Sequence, residues 1–150
     1  MNDILVIGYG NSLRSDDAAG VRAAEVIEER YPSVECLCVE NLGPALVDVV
    51  ASHASVVFMD ASVAVARVQA RELQAALPTT KSFSHTCTPE ELLGLAQFLY
   101  DSSPARAMLF EIPASRTGFG TSLSPSARLA VQECVGMFEK LFGLGVMHLG

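Results

Sequence analysis

Three short apolar runs, each stopped by a glycine, an acid or a proline, constrain this chain more than any other feature. Ile4-Leu5-Val6-Ile7 runs into Gly8-Tyr9-Gly10, Ser55-Val56-Val57-Phe58-Met59 into Asp60, and Ala107-Met108-Leu109-Phe110-Glu111-Ile112 into Pro113. Strands read this way when both faces of their sheet are covered. Helical spacing fills the intervals. Val21, Ala24, Ile27 and Tyr31 recur at three or four residues, with Glu25, Glu28 and Glu29 mostly outward, and predict a helix over 17–31 that Pro32 stops. Residues 34–39 read as a second strand, 45–52 as a short helix and 68–73 as an edge strand, followed by a polar loop over 79–88. Thr88-Pro89-Glu90-Glu91 is a capping box with proline at the first helical position, opening a helix to about Tyr100. Ser124-Pro125 opens the last helix, with Ala127, Ala130, Val131, Cys134, Phe138, Leu141 and Phe142 as its inner face. Strands alternating with helices predict an α/β fold: one three-layer α/β/α domain over 1–150, with a twisted, mostly parallel sheet of about five strands.

Composition narrows the function. At 150 residues, half of them hydrophobic and 18% charged, the chain can bury a single substantial core. A net charge of −7 with no basic stripe argues against nucleic acid and against anionic membranes as partners. The start of the chain lacks the basic segment and cleavage site of a signal peptide, and Asp48, His53 and Asp60 interrupt the longest apolar stretch. Cys36, Cys38, Cys87 and Cys134 form no CxxC pair, and three of them read as small buried hydrophobes. The expectation is a cytoplasmic protein in a reducing compartment, a monomer, without disulfides.

Ligands of open α/β sheets bind beyond the carboxyl ends of the strands. Three features converge on that edge: the doublet Asp16-Asp17 after the first strand, Asp60 at the end of the third, and His85 in the loop before the capped helix. Asp16 reads as the helix cap, and Asp17 as a first-turn acid or a site residue. Two carboxylates and an imidazole suit a borderline divalent metal with positions left open. Gly8-Tyr9-Gly10 begins like a dinucleotide fingerprint, but Leu13 stands where the third glycine belongs, so no organic cofactor is expected. Cys87 is a weak candidate nucleophile. Glu111 is either a satisfied buried acid or an edge of the site. Arg14 and Arg116 read as solvated, with a substrate carboxylate as the other option. The loop between Pro113 and Ser124, which carries Gly118 and Gly120, is a candidate for movement. A receiver-like metal-binding domain is a further reading, opposed by the absence of a lysine after the last strand.

The string Gly8-Tyr9-Gly10-Asn11-Ser12-Leu13-Arg14-Ser15-Asp16-Asp17-Ala18-Ala19-Gly20 resembles the opening signature of the hydrogenase maturation proteases. Val57-Phe58-Met59-Asp60-Ala61, Ser84-His85-Thr86-Cys87-Thr88-Pro89 and Gly120-Thr121-Ser122-Leu123-Ser124-Pro125 are similar to that family in order and spacing. The resemblance implies an endopeptidase that removes a C-terminal extension from a nickel–iron hydrogenase large-subunit precursor after nickel insertion. It implies catalytic and metal-contacting roles for Asp17, Asp60 and His85, with the nickel delivered by the precursor. Ala18 stands where many relatives have glycine, and Glu40-Asn41 where some have an aspartate. A non-cleaving, nickel-dependent maturation chaperone is the alternative function.

Overall fold

A computed structural model describes residues 3–84 and 86–145. Five strands form one sheet: β1 (Ile4–Tyr9), β2 (Glu35–Val39), β3 (Ser55–Ser62), β4 (Gln69–Glu72) and β5 (Arg106–Pro113), in the order β2-β1-β3-β5-β4. All pairings are parallel except β4 against β5. The helices are α1 (Ala19–Arg30), α2 (Val47–Ala51), α3 (Pro89–Tyr100) and α4 (Pro125–Leu141).

Alternation along the strands sorts the core into two halves. Val6, Val57, Met59, Met108 and Phe110 face α1 and α4, burying Ala23, Ile27, Val131, Cys134 and Phe138. Leu5, Ile7, Val56, Phe58 and Leu109 face α2 and α3, burying Val50, Leu92 and Leu95. Each central strand is apolar on both faces because each face is roofed by helices. The three-layer α/β/α reading therefore holds.

The order places β2 on one side of β1 and β3 on the other. The chain reverses its direction of winding between them, and the carboxyl ends of β1 and β3 form the switch point where such sheets bind ligands. α1 approaches this point closely. A Cβ on Gly20 would lie 2.2 Å from the Met59 carbonyl oxygen, so only glycine lets the helix start there.

Several boundaries differ from expectation. α1 begins at Ala19, because Ser15–Ala18 form a preceding 3-10 turn. β3 continues through Asp60 to Ser62, because β5 offers partners that far, Ser62 opposite Pro113. Leu141, expected on the inner face of α4, is exposed at the last residue of the helix, while Val135 is buried. Cys87 and Cys134 are buried, Cys36 is half-buried and Cys38 is exposed on the edge strand β2. The α3 capping box forms as read: Glu91 N–H donates to Thr88 Oγ1 at 3.1 Å, and Thr88 N–H to Glu91 Oε1 at 2.8 Å. Among the described residues no helix is long and apolar enough to cross a membrane.

Candidate active site

Parallel register builds one side of the site. Tyr9 of β1, Asp60 of β3 and Glu111 of β5 are Cα partners, so they stand in a row on the face that carries α2 and α3. They continue the apolar rows Leu5–Val56–Ala107 and Ile7–Phe58–Leu109 beneath them. The Tyr9 hydroxyl donates to the Asp60 carboxylate. Arg71 of β4 reaches over from the edge, its guanidinium 3.3 Å from Glu90 and 4.0 Å from Glu111. Glu111 is half-buried at the end of this row, within ion-pair reach of Arg71. Tyr9 is the residue that sequence reading missed. Its signal was available, since aligning the two apolar runs in parallel sets Tyr9 beside Asp60.

Asp17 closes the site from the turn after β1. The chain leaves β1 through Gly10, at φ +148°, where a Cβ would lie 2.0 Å from the Asp17 carbonyl oxygen. Asp17 Oδ2 accepts the Asn11 N–H at 2.6 Å, which fixes its carboxylate beside the end of β1. Its charge reaches Asp60. Burial pushes the Asp60 carboxyl up to about 6; the Tyr9 hydroxyl opposes the shift, and the Asp17 and Glu111 charges add to it. Burial and the Asp60 carboxylate in turn hold the Tyr9 phenol well above its ordinary range. Two neighbouring carboxylates, with Asp60 half-buried and its pKa raised, are poised to take up a cation.

Asp16 takes a different role from the helix cap expected of it. The cap positions are Arg14 for the 3-10 turn and Ala18 for α1, and neither makes a side-chain cap bond. Asp16 is fully buried, at 0% exposure, and serves the loop before α4. Its Oδ1 accepts the Ser124 N–H at 2.7 Å. Its Oδ2 accepts the Ser124 hydroxyl at 2.7 Å, the Arg116 N–H at 2.9 Å and the Ser115 N–H at 3.0 Å. Burial alone would raise this carboxyl, but the donors from Ser124, Arg116 and Ser115 hold it well below the usual range. The loop is also tied to the 3-10 turn, since Ser15 N–H donates to the Gly120 carbonyl at 3.0 Å and Ser15 Oγ to the Gly118 carbonyl at 2.8 Å.

Of the three expected site residues, Asp17 and Asp60 are brought to the β1/β3 switch point, and His85 lies outside the described residues. Among the described residues no group of three or more His, Cys, Asp or Glu side chains is disposed to hold a metal ion. Arg14 stacks over Phe119, 4.8 Å from its ring centre, and Arg116 donates to the Ser122 carbonyl at 3.2 Å. Cys87 is buried, its thiol donates to the Ser82 carbonyl at 3.4 Å, and burial raises its pKa. A protonated thiol is a poor nucleophile. For the protease that the resemblance implies, Cys87→Ser is therefore expected to keep the rate of peptide cleavage within about threefold, measured by mass spectrometry of the product.

No protein-family model matches the chain. It is 30% identical over 155 aligned residues to the hydrogenase expression/formation protein HupD of Thiocapsa roseopersicina, covering 97% of this chain and 70% of that protein. It superposes on the hydrogenase maturating endopeptidase HybD from Escherichia coli with a TM-score of 0.69 at 24% identity, covering 94% of this chain and 91% of that one. An Escherichia coli endopeptidase solved in solution gives a TM-score of 0.70 at 26% identity, covering 92% and 90%.

Proposed function

The chain belongs to the hydrogenase maturation proteases, and from that membership we propose that it is an endopeptidase that trims a nickel–iron hydrogenase large-subunit precursor. In this reading the precursor loses its C-terminal extension after nickel insertion, and the nickel it carries is what the enzyme recognises. The observation that carries the proposal is the meeting of the Asp17 and Asp60 carboxylates at the switch point, where the Asp17 charge adds to the cost of ionising Asp60.

Nickel is here part of the substrate. Asp17 and Asp60, with His85, offer the carboxylate and imidazole donors that a borderline divalent ion accepts. A bound cation relieves the repulsion between the two acids, so binding is favoured only when the precursor brings its metal. Where Asp60 is not engaged by the metal, it is suited to act as general base on a water molecule, because a carboxyl raised to about 6 stays ionised at neutral pH and holds a proton better than an ordinary aspartate. That proton then passes to the departing amine. Tyr9 orients the carboxylate through its hydroxyl.

The test compares nickel-loaded with nickel-free precursor, followed by mass spectrometry. Loaded precursor is expected to lose its C-terminal peptide and nickel-free precursor to remain intact. Equal cleavage of both removes nickel recognition. A loaded precursor that binds but stays whole assigns the non-cleaving chaperone role instead.

A further inference from the structure

Two large apolar side chains stand outward beside the turn that carries Asp17. Leu13, in that turn, is 58% exposed, and Phe119, in the loop after β5, is 85% exposed. Their backbones adjoin, because Arg14 and Gly120 form a parallel bridge: Gly120 N–H donates to the Leu13 carbonyl at 3.0 Å, and Ser15 N–H to the Gly120 carbonyl at 3.0 Å. The Arg14 guanidinium lies over the Phe119 ring. Arg22 donates to the Thr121 carbonyl at 3.3 Å and Arg116 to the Ser122 carbonyl at 3.2 Å. Three of the ten lysines and arginines of an acidic chain thus gather on one loop. Among the described residues neither Arg14 nor Arg116 makes an ion pair.

The loop is firmly held. Buried Asp16 binds it at Ser115, Arg116 and Ser124. Ser15 binds it at Gly118 and Gly120, and sits at φ +52°, a left-handed conformation that side chains seldom adopt. Yet residues 115–119 are all exposed and belong to neither half-core. Their fixed conformation therefore serves something outside the fold. Aromatic and arginine side chains are enriched at the centres of protein interfaces, and a preformed surface docks with little ordering cost.

Position limits the partner. Asp17 N–H donates to the Arg14 carbonyl at 3.0 Å, so Leu13, Arg14 and Asp17 share one hydrogen-bonded turn. A protein substrate that reaches Asp17 comes to lie against this surface. The guanidinia call for carboxylates on that substrate, and the exposed ring calls for an apolar recess. Resting on the endopeptidase reading, we propose that Leu13, Phe119, Arg14 and Arg116 form a docking surface for the folded body of the precursor, which meets them with an apolar recess flanked by carboxylates.

The test titrates nickel-loaded precursor into the full-length protein and follows its cleavage. Phe119→Ala and the double variant Arg14→Glu/Arg116→Glu are each expected to weaken binding about tenfold or more, raising KM while kcat is retained. Phe119→Tyr keeps the ring and should bind as wild type does. Added salt should weaken the wild-type complex more than that of the double variant. Thermal unfolding confirms that each variant is folded. Binding and KM equal to wild type in both Phe119→Ala and the double variant overturn the proposal. So does a wild-type dimer that both variants dissociate without loss of precursor affinity, which would assign the surface to a second copy of this chain. A wild type that binds loaded precursor through these residues yet leaves it whole keeps the docking surface and overturns the endopeptidase reading.

Discussion

Asp60→Asn is expected to slow precursor cleavage by a factor on the order of 10² to 10⁴ while making the protein more stable at neutral pH. The two effects have one cause. Asp60 is partly buried beside two other carboxylates, and its pKa stands at about 6. An unfolded aspartate titrates near pH ~3.9. Between those values the folded state holds a proton that the unfolded state has released, so stability falls as pH rises through this window. Above it, the folded protein carries the full cost of an ionised Asp60. Asparagine removes that cost and still accepts the Tyr9 hydroxyl bond. The stability advantage of Asp60→Asn should be nearly absent below pH ~4, grow towards pH ~6 and stay constant beyond. At pH 7 it is expected to be on the order of 1 kcal/mol or more, a rise of about 2–4 °C in Tm per kcal/mol for a chain of this size. Thermal unfolding across pH measures it. A variant that is less stable than wild type at pH 7, or that cleaves loaded precursor at the wild-type rate, removes Asp60 from the role assigned to it.

Asp16→Ala is expected to give the largest stability loss of any single carboxylate in the chain, about 3–5 kcal/mol. Alanine leaves three backbone N–H groups and the Ser124 hydroxyl without the carboxylate that receives them. Each unmet buried donor costs about 1–3 kcal/mol, and relaxation of the loop recovers part of the sum. The folded pKa of Asp16 lies below its unfolded value, so its contribution is complete above pH ~4 and declines as pH falls through the folded value. Wild type and Asp16→Ala should therefore converge in acid, as the Asp60 pair does, but here the wild type is the more stable of the two at neutral pH. Asp17→Asn provides the contrast. Asparagine still accepts the Asn11 N–H, so stability should change by less than about 1 kcal/mol while cleavage is lost. Denaturant unfolding of both variants, beside the cleavage assay, separates the two neighbours. Equal stability losses at positions 16 and 17 would sink this division.

Local signals were read correctly wherever the physics is local. The α3 capping box needs only residues three apart, and it forms as the sequence indicates. The apolar runs of β1, β3 and β5 announce strands covered on both faces, and the two buried half-cores bear this out. Asp60 was visible because an acid ends an apolar run. Asp16 departs from the expected helix cap for the converse reason. Short polar residues before a helix usually cap it, and nothing near Asp16 reveals that its donors lie at Ser115, Arg116 and Ser124. Leu141 is exposed against expectation because helical periodicity continues to the end of a helix, whereas burial stops where the neighbouring element does.

The family, the α/β class and the candidate acids Asp17 and Asp60 are written in short strings and in the alternation of the strands. A sequence determines these by itself because hydrophobic periodicity and capping act over a few residues. The strand order β2-β1-β3-β5-β4 is decided only in three dimensions. That order sets Tyr9, Asp60 and Glu111 in one row, turns Asp17 towards them, and sends Asp16 to the opposite task. Pairing energy depends on which strands meet and in what register, and that information is shared between segments up to about a hundred residues apart.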